Sequence, residues 1–176
     1  MIEEGTMHCS VGRGGLLLTV VVSVMFSMVA FAYDNEPDDF RGIKWDTHIE
    51  KLPDMELVLD GGDLKAYARK GESMKLEDAE LSAVHYIFYK ERFYCVHIEF
   101  KGLQNFNKIK DVLFKTYGQP EGTQYYDTRF AWPGEEASIT LEFDVSTGEG
   151  ELGYKFLPID QEVMMDEESR AAEDAE

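Results

Sequence analysis

Apolar residues between positions 40 and 157 fall mainly at every second place, the period of strands buried on one face. This alternation predicts strands over 55–59 and 64–69, joined through Asp60-Gly61-Gly62-Asp63, whose paired glycines supply the positive φ a hairpin turn needs. Residues 82–89 and 92–100 are rich in aromatic and β-branched side chains and flank the charged pair Lys90-Glu91, which predicts a second hairpin. Residues 125–132, 138–145 and 151–156 follow, punctuated by Pro133-Gly134 and Ser146-Thr147-Gly148, and read most simply as a three-stranded meander. One segment changes period: Phe106, Ile109, Leu113 and Tyr117 recur at spacings of three and four, with Lys108, Lys110 and Lys115 largely on the other side. Gly118 and Pro120 then stop that helix. A shorter helical turn is predicted from Thr47, at capping-box spacing to Glu50 and ended by Pro53. The expected fold is α+β, an antiparallel sheet of about seven strands with one long and one short helix.

A short echo runs through this pattern. Phe40-Arg41-Gly42-Ile43 and Phe100-Lys101-Gly102-Leu103 each precede a helical segment followed by strands. A duplicated helix-then-meander unit is one reading and chance the other. These segments, with Lys44-Trp45, Lys51-Leu52-Pro53, Phe88-Tyr89-Lys90, Ile98-Glu99 and Lys115-Thr116-Tyr117-Gly118-Gln119-Pro120, resemble a group of uncharacterised exported proteins common in anaerobic metal- and sulfate-reducing bacteria. The resemblance spans about residues 40–157; it implies a periplasmic address and no activity. The order helix, meander, helix, meander also looks like the β-lactamase-inhibitor-protein fold and its relatives among small accessory factors of outer-membrane assembly, a likeness of fold alone.

Charge narrows the partners. The chain carries 35 acidic and 17 basic residues, a net charge of -18, with no basic cluster to neutralise a run of phosphates, so nucleic acid is not expected. A field of this sign favours basic partners and divalent cations and is repelled by anionic lipid.

The candidate chemistry gathers on the second hairpin. If Tyr94, Val96, Ile98 and Phe100 share a buried face with Val84, Tyr86 and Phe88, then His85, Cys95, His97 and Glu99 take the other face. An odd-length loop would allow a register in which His85 sits opposite His97 with Glu99 two residues along, a set suited to zinc or a related metal, which His48 could join. Cys95 reads as a redox thiol, an intermolecular bridge or a small packed hydrophobe. Tyr125, Tyr126, Phe130 and Trp132 populate both faces of one predicted strand, so they form either a ligand-binding surface or a sandwiched core strand. No GxSxG, phosphate loop or EF-hand spacing is present, and no cofactor is implied. The expectation is an exported soluble module that binds an unknown protein or small ligand on its sheet without catalysis. The alternative is a metal-binding factor or enzyme centred on His85, His97 and Glu99, and a homo-oligomer built through the aromatic strand is a third reading.

The termini complete the organisation. Residues 16–32 carry no charge, follow Arg13 and end in Ala30-Phe31-Ala32, the small-x-small form of a leader-peptidase site. Glu3 and Glu4 fit a signal poorly, whereas translation from Met7 leaves His8 and Arg13 with no acid before the apolar run. Residues 1–32 are therefore expected to be a signal peptide, 33–39 an acidic linker, 40–157 a single domain, and 158–176 an acidic tail that is a frayed helix or disordered. With Cys9 removed, Cys95 is the one thiol left, and no stable membrane anchor remains after cleavage. Expressed with its leader in a bacterium, the periplasmic product should begin at Tyr33 by N-terminal sequencing; a product retaining residues 1–32 in the membrane fraction would show an uncleaved anchor instead.

Overall fold

The computed structural model describes residue 33 and residues 35–120 and 127–173. The expected signal at 1–32, and Tyr125 and Tyr126, lie outside the described residues. The chain forms β1 (Asp39–Phe40), β2 (Ile43–Lys44), a 3-10 turn (Ile49–Lys51), β3 (Met55–Gly61), β4 (Leu64–Arg69), β5 (Lys75–Leu76) and β6 (Ala79–Glu80). Then come β7 (Ala83–Tyr89), β8 (Arg92–Lys101), α1 (Leu103–Tyr117), β9 (Arg129–Trp132), β10 (Ala137–Asp144), β11 (Glu149–Phe156) and α2 (Leu157–Glu173). Seven strands make one antiparallel sheet in the order β3-β4-β7-β8-β11-β10-β9, so two meanders join through their last strands, β8 and β11. This is the α+β fold the alternation predicts. Among the described residues no helix is long and apolar enough to cross a membrane.

From β7 across to β9 one face of the sheet is buried. Tyr86, Phe88, Phe93, Val96, Ile98, Phe100, Ile139, Leu141, Phe143, Leu152 and Tyr154 point into it, and α1 lays Phe106, Ile109 and Leu113 across β8 and β10. Phe106 stacks on Phe143 at 5.1 Å between ring centroids. Gly150 permits this layer, because a Cβ there would lie 2.2 Å from the Phe100 ring. The β1–β2 hairpin closes the same face near the β7–β8 turn, with Trp45 stacked on Phe93 at 4.9 Å. Arg41 and Tyr86 both hydrogen-bond the Glu72 carboxylate, which ties that hairpin to the loop after β4.

The structure refines three sequence expectations. The turn after Thr47 is a single 3-10 turn capped by His48, whose Nδ1 accepts from Glu50 N–H at 3.4 Å, because the segment is strapped to the neighbouring β-turn by Ile49 N–H donating to Glu91 O at 2.9 Å. The expected acidic linker at 33–39 is tied to the domain through its described residues. Tyr33 Oη donates to Ala137 O, the Glu36 carboxylate accepts from the backbone N–H groups of Glu135, Glu136 and Ala137, and Trp45 Nε1 donates to Pro37 O. Burial works to raise the Glu36 pKa, but those three N–H groups outweigh it and hold the carboxyl below its usual range. The expected tail is largely α2, a second α-helix that docks through Ile159 and Val163 and leaves Met164 and Met165 exposed. Each of the two buried residues contributes roughly 1.5–3 kcal/mol by burial.

The four-residue echo does not carry over into local structure. Phe40-Arg41-Gly42-Ile43 is a two-residue hairpin turn with Phe40 opposite Ile43, whereas Phe100-Lys101-Gly102-Leu103 is the junction of β8 with α1. Both glycines have positive φ, 80° and 85°, and that is the feature they share.

A one-residue bulge in β8 sets what the second face displays. The β7–β8 turn has two residues, Lys90 and Glu91, both at positive φ, and pairs Tyr89 with Arg92 and Phe88 with Phe93. Beyond it the register slips, with Ile87 opposite Cys95 and Tyr94 left as the extra residue. Tyr94 and Cys95 therefore both turn to the second face, where Tyr94 packs with Tyr89, Ile159 and Val163. This corrects the expectation that Tyr94 shares a face with Val96, Ile98 and Phe100.

Candidate functional site

Two of the four aromatic candidates are core residues. Phe130 and Trp132 are buried under α1, where Phe114 meets both rings edge-on and Trp132 Nε1 donates to Gly118 O at 2.7 Å. The face covered by α1 needs large rings from the edge strand β9 to complete its layer, so Phe130 and Trp132 offer no surface to a ligand. The other two, Tyr125 and Tyr126, lie outside the described residues.

His85 and His97 do stand directly opposite each other on the second face. The register comes from the bulge, since a two-residue turn alone would set His85 against Val96. The imidazole planes are 2° apart with centroids at 6.4 Å, and Glu99 Oε1 lies 3.7 Å from His97 Nε2. In parallel planes the in-plane lone pairs run side by side instead of meeting at a point, and among the described residues no group of three or more His, Cys, Asp or Glu side chains is placed to hold a metal ion. His48 belongs elsewhere. It pairs with Arg92, five residues along β8 from His97, a separation of roughly 16 Å at strand rise.

The same register assembles a group that the sequence alone does not display. On the second face Glu99 pairs with Glu151 across β8–β11, Glu151 with Glu142 across β11–β10, and Glu142 with Arg129 across β10–β9. Adjacent strands lie about 4.8 Å apart, so three carboxylates stand in a row, and like charges directly opposite are destabilising. Arg129 reaches Glu142 at 3.3 Å and the imidazole of His97 sits by Glu99. Among the described residues Glu151, between two other glutamates, has no ion pair. The next row adds Glu149 and Asp144, with Lys101 on Glu149 at 2.9 Å. A depression of about 610 Å³ opens at this end, lined by Arg129, Glu142, Asp144, Thr147, Glu149 and Glu151 among others.

Cations are spent at the opposite end. There α2 covers the sheet and takes Lys155 with Asp160, Arg92 with Glu162, Lys90 with Asp166, and offers Arg170 to Asp63. Lys90 and Tyr89 hold the Asp166 carboxyl below its usual range. The second face is thus divided into an apolar, charge-paired end under α2 and an open end of glutamates and histidines.

No family model, curated protein or solved structure matches the chain, so its function is read from this geometry alone.

Cys95 lies at the border, packed beside the Tyr94 and Ile159 cluster under α2. Burial pushes its thiol up to about 12, against a smaller opposing pull from Lys155. A thiolate that scarce makes a poor nucleophile, which favours the packing reading of this residue. At pH 8 the native protein should react with a disulfide reagent roughly a thousandfold more slowly than the same chain in urea. The double variant I159A/V163A, which loosens α2, should recover much of that rate; rapid labelling of the native chain would instead make Cys95 an accessible thiol.

Proposed function

We propose that the chain is an exported, periplasmic binding module that acts without catalysis, holding a basic segment of a partner protein on the open half of its sheet. One observation carries this reading: Glu99, Glu151 and Glu142 occupy directly paired positions on three neighbouring strands, and among the described residues Glu151 has no ion pair. A row of this kind costs stability in the free protein and regains it when cations lie across it. The strands fix the carboxylates in a line, so lysine or arginine side chains from an extended segment can meet them in step with the strand spacing. The stacked His85 and His97 and the depression beside Arg129 border the row and give a partner more than charge to recognise. The net charge of -18 adds long-range attraction for a basic partner. The resemblance to exported proteins and the leader-like segment at 16–32 support the address.

The test joins stability to binding. Replacing all three acids, E99Q/E142Q/E151Q, relieves two opposed pairs and should stabilise residues 33–176 by roughly 0.5–2 kcal/mol, a rise of a few degrees in melting temperature. The same variant should bind an octalysine peptide at least tenfold more weakly by calorimetry at low ionic strength, and added salt should erase the difference. Equal affinity in the two proteins would move the binding to other acids, and unchanged stability would show that the row carries no strain.

A further inference from the structure

A second surface lies at the edge of the sheet. β3 is an outermost strand, seven residues long, and from Glu56 to Gly61 every residue is exposed. Its centre is three consecutive aliphatics, Leu57, Val58 and Leu59, exposed at 53%, 54% and 63%. Leu57 pairs with Tyr67 and Leu59 with Ala66, and the register slips between them, so Val58 is an added residue. Soluble proteins guard their edge strands by shortness, charge or coverage, because unpaired N–H and C=O groups there invite another strand. The opposite edge, β9, follows that rule: it has four residues, and Phe130 and Trp132 turn inward. Among the described residues β3 instead leaves an open ladder with aliphatic side chains on it.

The charges around the aliphatics choose the occupant. Glu56 and Asp60 flank Leu57-Val58-Leu59 symmetrically. A second copy pairing antiparallel about Val58 would bring Glu56 of each strand to the end that holds Asp60 of the other, on opposite faces because of the slip, and would join two chains that each carry -18. Glu56 is paired with Lys70 at 3.2 Å, an exposed pair of small worth, and Asp60 accepts from Gly62 N–H at 2.9 Å, so both carboxylates remain at the surface. We infer that β3 is a strand-addition site for another protein, taking an extended segment with β-branched or aliphatic residues at its centre and a lysine or arginine on each side. Backbone hydrogen bonds supply the attachment, the aliphatic centre covers Leu57 to Leu59, and the flanking cations set the register.

The probes are two seven-residue peptides with the same valine-isoleucine-valine centre, one flanked by lysines and one by glutamates, added to residues 33–176. Hydrogen exchange followed by NMR reports which amides become protected. The lysine peptide should slow exchange along β3 at least tenfold more effectively than the glutamate peptide, and E56K/D60K should reverse that preference. L57K/L59K, with both changes on exposed side chains, should abolish protection by either peptide without lowering the melting temperature. E99Q/E142Q/E151Q should leave β3 protection intact, which separates this site from the open glutamate face. The inference is overturned if neither peptide protects β3, if E56K/D60K leaves the preference unchanged, or if β3 amides are protected without peptide in step with dimer formation by sedimentation.

Discussion

The bulge at Tyr94 is the constraint on which the rest of the arrangement depends. Phe93 and the set Val96, Ile98 and Phe100 all belong to the buried face, yet they stand at opposite phases of a two-residue alternation. A regular β8 would therefore bury one group and expose the other. The inserted residue resolves the conflict: Phe93 stays under Trp45, and the run from Val96 stays under α1. Tyr94 and Cys95 are left consecutively on the second face, where their bulk gives α2 something to cover. Past the bulge that face shows His97 and Glu99, with no large apolar side chain to draw a helix over it.

Coverage and charge are distributed together for the same reason. α2 sits where Tyr89 and Tyr94 supply apolar area, and its acids find Lys90, Arg92 and Lys155 at that end. The acids of β8, β10 and β11 farther along have fewer basic neighbours, principally Arg129 and Lys101. An acidic protein can afford one such uncompensated row because the buried face opposite is continuous and dense in aromatic contacts. The strain at Glu151 is thus supported by packing on the other side of the same strand, where Gly150 and Leu152 lie against Phe100, Ile98 and their neighbours.

Much of the fold was legible because it rests on local patterns. Alternation located the principal sheet strands, the paired glycines and Lys90-Glu91 located two turns, and the three-four spacing of Phe106, Ile109 and Leu113 located α1. The bulge was harder to read, although Phe93 and Val96 are both apolar at conflicting phases; that conflict was the available signal, and Tyr94 looked equally suited to the core. α2 was underestimated because its stabilisation is tertiary: Ile159 and Val163 are few, and their value depends on Tyr94 facing them. Phe130 and Trp132 could serve surface or core equally well until α1 was placed over β9. The glutamate row could not be read at all without strand order, since Glu99, Glu142 and Glu151 become neighbours only when β11 is inserted between β8 and β10.

The placement of Tyr94 is therefore the feature to measure most directly. In solution NMR spectra of residues 33–176, the Tyr94 ring should show nuclear Overhauser contacts to the methyl groups of Ile159 and Val163 and to the Tyr89 ring. Contacts from Tyr94 to Phe88 and Val96 in place of these would put it in the main core, remove the bulge, turn Phe93 out of that core, and contradict the account of how the second face is divided into a covered end and an open one.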